Sequence, residues 1–241
     1  MPPGRDLPAT SPFAADDGSA DPVLAAALAD LAGGAATPAD GVAARVGARL
    51  LVPVLAELTA TGTGHDGLAV DKEAATGVVA LRVPDGRTAL PVFTSVAAMA
   101  RWRADARPVP TPGPRAAAAA LQEGWEVLVV DPGGPCPLVV PHPAVRALAV
   151  GQPWRPAVRD GQVTAEVQQA VTATVGSLPG VVSVVVEAGR RAEVAVVLGL
   201  VPGLGRAALD QVVARAGDRL AADAVVTGTV DTLEIRVTTA R

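Results

Sequence analysis

Tyrosine is absent from this chain of 241 residues, and two Phe with three Trp are its only other aromatic side chains. Its cores must therefore be filled by Ala, Val and Leu, with Trp and Phe as rare large pieces. Cys136 is the sole cysteine, so no intramolecular disulfide can form. The two histidines, His65 and His142, and the scattered carboxylates show no metal-ligand spacing, and neither a metal nor a cofactor is expected. Lysine is nearly missing too: of twenty basic side chains only Lys72 is a lysine, a bias that reads as the imprint of a GC-rich coding sequence. The formal charge of −4 and the lack of any run of clustered cations exclude a duplex-binding surface, so no nucleic-acid partner is expected. No stretch of about eighteen apolar residues escapes charge, Pro or Gly, which excludes a helical membrane span. The start, Met1 to Asp6, has no apolar signal core, and a cytoplasmic protein is the expectation.

What is present is ample apolar material, half of all residues, arranged in two patterned stretches. Residues 1–20 are rich in Pro, Asp, Ala and Ser without a hydrophobic period and are expected to be disordered. A first domain is expected over 21–150. It starts with a helix in which Val23, Leu24, Ala27, Leu28 and Leu31 fall at helical spacing. Asp21 is the N-cap, Pro22 stands at the first position and Gly33-Gly34 stop it. Residues 37–44 are read as a further turn of helix, and 59–67 as a loop. Arg49 to Glu57 reads as a strand whose Pro53 belongs at an edge or a bulge. Gly77 to Val83 and Thr88 to Phe93 flank Pro84-Asp85-Gly86-Arg87, a turn sequence that predicts an antiparallel hairpin.

After the hairpin the spacing predicts a helix from Ser95 to about Arg103, an extended Arg107 to Pro110, and an Ala-rich helix from Arg115 to Glu123. A buried strand Trp125 to Val130 follows, then a strand Leu138 to Val140 and a closing helix Pro143 to Val150. The class is α+β, with flanking helices around a mixed, mostly antiparallel sheet. Residues 151–160, with Pro153 and Pro156, are expected to be a linker. Over 161–241 the order is helix, strand, strand, helix, strand, which fits a smaller ferredoxin-like domain if residues 157–163 supply its first strand.

Leu90-Pro91-Val92-Phe93-Thr94-Ser95 with Trp102, flanked by Arg49 to Val54, Arg107 to Pro110 and Leu128 to Pro132, carry a family likeness. Over about residues 45–150 the chain resembles the SseB family, named for enhanced serine sensitivity in enteric bacteria. It is most similar to the actinobacterial branch, whose members also place a Pro-Asp-Gly turn before the phenylalanine. The resemblance implies an N-terminal α+β domain joined to a second small one, and no active site, cofactor or partner to carry over. The second domain is similar to the family's C-terminal domain in its order of elements alone.

No constellation here calls for catalysis, and the chain is expected not to be an enzyme. Ser95 lacks a Gly-x-Ser-x-Gly elbow and reads as an N-cap, with Thr94 as the alternative cap. Gly203-Leu204-Gly205-Arg206-Ala207-Ala208 fits the loosest dinucleotide fingerprint. Asp223, however, precedes the next strand instead of ending one, so the motif reads as a flexible connection. Cys136, between Pro135 and Pro137, reads as an inert turn residue. The candidate interaction surface is Arg101, Trp102, Arg103 and Arg107, since Arg and Trp are enriched where proteins meet; the competing reading packs Trp102 under the helix end. Two functions follow as expectations. The first is a non-catalytic protein-interaction or regulatory role, with an unidentified protein or a second copy as partner. The second is sensing of a small ligand, an amino acid or an anion, through the C-terminal domain.

Overall fold

The computed structural model describes residues 13, 16–35, 48–55, 70, 71 and 77–240. The expected turn of helix over 37–44, the loop over 59–67 and His65 lie outside the described residues. The chain divides into two compact units, Met1–Val140 and Pro141–Arg241.

The first unit opens with α1 (Pro22–Ala32), capped as its sequence predicts: the Asp21 carboxylate accepts from the amides of Val23 and Leu24 at 2.9 and 3.0 Å. Among the described residues, five strands form the main sheet in the order β2 (Val70–Asp71), β3 (Ala80–Arg82), β4 (Thr88–Val92), β6 (Val127–Val130) and β7 (Leu138–Val140). Only β4 and β6 run parallel. The predicted hairpin is β3–β4. Gly86 takes a φ of 89°, which a side chain would oppose, and Asp85 locks the turn by accepting from the Arg87 amide and Nε. Every residue of β6 is buried, as its unbroken Val-Leu-Val-Val run requires of a strand covered on both faces.

Prolines sit where no ladder bond is lost. The carbonyls of Thr88 and Val92 accept from Glu126 and Asp131 on the β6 side, so Pro91 points the other way. There the β3 ladder has already ended at Ala89, and the paired bonds between Leu51 and Phe93 have not yet begun. β1 (Arg49–Val54) pairs antiparallel with β5 (Arg107–Pro112), Pro53 facing Pro108, so the expected edge position of Pro53 is a two-stranded ribbon. Among the described residues the unit also holds α2 (Val96–Trp102) and α3 (Gly113–Gln122).

The second unit takes up α4 (His142–Ala149), which the sequence suggested would close the first domain. Its first amide, that of His142, donates to Asp231 Oδ1 at 3.0 Å, and α4 packs against α7 (Ala224–Thr229). The expected linker is also drawn in. Ala157 is fully buried in the core, and β8 (Val158–Arg159) turns through Asp160-Gly161, both at positive φ, into β9 (Gln162–Val163). Then come α5 (Ala165–Val175), β10 (Val181–Ala188), β11 (Val194–Leu200), α6 (Arg206–Ala222), α7 and β12 (Leu233–Thr239). The helix–strand–strand–helix–strand order is as read. The ferredoxin-like arrangement is not. Among the described residues the sheet has three strands, β10-β11-β12, and β12 lies parallel beside β11. A ferredoxin-like sheet needs the first strand in that place. Here that strand is the two-residue β9, whose strand partner among the described residues is β8. Val167, Val171 and Val175 of α5 and Val212, Ala216 and Leu220 of α6 face Val194, Val196, Leu198 and Leu200 across the core.

Candidate functional site

The residues that carry the family likeness converge at the ends of β4 and β6. Parallel neighbours finish side by side, so Thr94 and Asp131, each one or two residues past its strand, come together. The Asp131 carboxylate accepts from the Thr94 amide at 2.8 Å and from its hydroxyl at 2.7 Å. Thr94 is 5 % exposed, the one buried polar residue recorded among those described. Its clamp satisfies groups that would otherwise be stranded in the core. Asp131 holds this position at a φ of 48°, in a region that Asp tolerates better than most residues. Arg49, at the start of β1, donates from Nη1 to the Thr94 carbonyl at 3.1 Å.

A strap of residues 16–19 lies on this arrangement. Asp16 Oδ2 is 2.7 Å from Arg49 Nε, and Arg49 Nη2 donates to the Ser19 carbonyl. The Gly18 carbonyl accepts from the Val96 amide at 2.9 Å, and the Gly18 amide donates to Asp16 Oδ1 at 2.9 Å. Bonds from the Ser19 hydroxyl and amide hold the Asp17 carboxyl below its usual range. The expectation of disorder through residue 20 therefore needs correcting for 16–19. Their Asp-Asp-Gly-Ser composition, read as unstructured, is also what a side-chain-bonded turn uses.

The Ser95 hydroxyl accepts from the Ala98 amide at 3.1 Å and is the N-cap of α2. Thr94 is not the cap, being bound to Asp131. The Trp102 ring lies 5.2 Å from that of Phe93 and packs against two buried clusters, one containing Leu51 and Met99 and the other Leu81 and Val127. Arg103 binds Asp105 through two contacts, at 3.0 and 2.7 Å, and this pairing holds the Asp105 carboxyl below its usual range. Arg101 and Arg107 are exposed. The four residues thus share a neighbourhood in the chain, with Trp102 serving the core. Gly203 to Ala208 forms the turn from β11 into α6, with Gly203 at a φ of 82° and no side chain capping the helix. Cys136 is half-buried, and no group of three metal-ligating side chains occurs among the described residues.

In the second unit a titratable group stands out. Glu193 accepts from the Asp231 amide at 2.8 Å, while its own amide donates to Thr232 Oγ1 at 2.9 Å. Burial pushes the Glu193 carboxyl up, and the negative charge of Asp231 adds to the rise against opposing backbone bonds. No motif announced this pair; the fold makes it.

Two further features bear on function. Cavities of about 260 and 300 Å³ open on the two units, sizes that suit small ligands. The first is lined by Arg155, Pro156, Arg159, Thr164, Glu166 and Thr229. The second is largely apolar, with Leu90 and Trp125 among its walls. No helix among the described residues is long and apolar enough to cross a membrane.

No curated protein and no solved structure matches this chain. Residues 24–147 match the family described as SseB protein N-terminal domain. That span is just over half of the sequence and contains Arg49, Thr94, Ser95, Asp131 and both partners of the Phe93–Trp102 pair. The chain belongs to the SseB family.

Proposed function

We propose that this chain is a non-catalytic protein-interaction protein of the SseB family, and that it docks its partner on the outer face of α1. The supporting observation is the character of that helix. Asp30 is its only polar side chain, yet Leu24 alone is buried, and Val23 is 66 % exposed. A helix that is apolar all round normally lies inside a core or against another apolar body. The partner this face suits is a protein presenting an apolar groove. A photo-crosslinking side chain at Val23 tests the reading: it should yield a discrete adduct in cells, and the Ala29→Lys variant should lose it. No adduct at Val23, with the same probe reporting normally at a control site, would remove the proposal.

A second reading has one observation in its favour. The 260 Å³ cavity of the second unit brings Arg155, Arg159, Thr164 and Glu166 around one space, a lining suited to a small anion or a zwitterionic amino acid. Thermal-shift screening with amino acids and inorganic anions tests it. A rise of several degrees that Arg155→Ala and Arg159→Ala abolish supports ligand sensing; no rise at millimolar ligand removes it.

A further inference from the structure

We infer that Arg49 and Val96 form a receptor for an acidic turn peptide, Asp-x-Gly-Ser, and that residues 16–19 occupy it in cis as a built-in competitor. The strap's own contacts define the ligand. A carboxylate meets Arg49 Nε, two residues later a glycine carbonyl meets the Val96 amide, and the next carbonyl meets Arg49 Nη2. The turn favours glycine. Gly18 has a φ of +77°, and a Cβ there would fall 2.6 Å from Val96 Cγ2, so a larger residue would strain the backbone and have to push the Val96 side chain aside. The receptor is itself rigidly placed: Arg49 Nη1 is anchored on the Thr94 carbonyl, and Thr94 is clamped by Asp131.

Two observations separate ligand from receptor. Arg49, Thr94, Val96 and Asp131 lie within the family match, whereas residues 16–19 precede it. Among the described residues, the strap's polar bonds to the rest of the unit run through the Arg49 guanidinium and the Val96 amide. Contacts of that kind open more readily than a packed core. The occupant that fits is therefore a peptide of the strap's own chemistry, and a second copy of this chain is a source of it. Tethering gives the cis strap an effective concentration on the order of millimolar, so a free peptide competes poorly with it until the strap is weakened.

The experiment uses the full chain and a fluorescein-labelled peptide of residues 13–21. Wild type should bind the peptide weakly. Gly18→Val, which dislodges the strap and leaves Arg49 intact, should bind it at least tenfold more tightly. Adding Arg49→Ala to that variant should reverse the gain, as should replacing the first aspartate of the strap in the peptide by alanine. Failure of Gly18→Val to gain affinity overturns the inference, and so does equal binding with and without Arg49. Equal binding of an oligo-glutamate peptide would reduce the site to unspecific charge attraction and overturn it as well. Hydrogen exchange on the unmodified chain gives a second reading, independent of any variant's folding. The Val96 amide should exchange at least tenfold faster than that of Met99, one turn on; equal protection would mean that the strap does not detach.

Discussion

α1 and α5 are both eleven residues long, and they differ in almost everything else. α5 is the less apolar of the two, yet it buries Val167, Val171 and Val175, spaced four apart, and turns Gln168, Gln169 and Thr172 outward. α1 carries a stripe too, with Leu24 buried and Ala27, Leu28 and Leu31 half-buried, but apart from Asp30 its remaining positions are also apolar: Ala, Val and Pro. Composition does not bring a helix into a core; a stripe at the helical period does, because only a stripe can be covered from one side. Apolar surface in excess of a stripe is left over for something else.

Lysine placed on each helix should sharpen that contrast most. Val171→Lys puts an unpaired charge in the core and should destabilise the second unit by more than about 4 kcal/mol, read by denaturant unfolding. Ala29→Lys should stay within about 0.5 kcal/mol. Similar losses in both would show that the outer face of α1 is covered after all.

Each unit is also tied by an aspartate that accepts from backbone N–H and threonine hydroxyl groups. Asp131→Ala strands the buried hydroxyl and amide of Thr94, with an expected loss of about 1–3 kcal/mol. Asp223 performs a more exposed version of the same task, capping α7 through the amides of Val225 and Val226 and accepting from Thr174 at 2.8 Å. Asp223→Ala should cost about 1 kcal/mol, the usual worth of a cap. The bond from Val226, followed by that from Thr174, lowers the Asp223 carboxyl. Its contribution is therefore complete above the ordinary aspartate range and disappears as the pH falls through the lowered value, and the variant should lack that part of the acid loss.

The smallest effect is expected at Glu193, and its sign is opposite. Burial raises its carboxyl above 4.5, so the protonated form is the one the fold favours. Stability from this group is complete below 4.5 and declines as the pH rises through the raised value. Glu193→Gln should flatten that decline in a series of unfolding curves. An unchanged slope would show that Glu193 is solvated enough to ionise freely.

Local signals were legible wherever the chemistry is local. Asp21 capping α1, Pro84 to Arg87 turning the hairpin and Ser95 capping α2 each act within four residues, and their sequence states the geometry. Asp160-Gly161 is as local a turn signal, although Pro153 and Pro156 ahead of it have the composition of a linker. The clamp of Asp131 on Thr94 spans thirty-seven residues and exists because β4 and β6 are parallel neighbours, which neither strand announces. The ferredoxin-like reading failed for the same reason: the order of elements was right, but which strand lies beside β11 is a choice among long-range pairings.

By itself, the sequence determined the class of fold, most of the elements and the family, because hydrophobic period, capping and turn chemistry are properties of short windows. Tertiary structure alone decided where α4 belongs, what Arg49 and Asp131 hold, and that residues 16–19 bind back onto the sheet. Those outcomes depend on which distant groups meet, and the free energy of such meetings is shared among partners that no single stretch of chain contains.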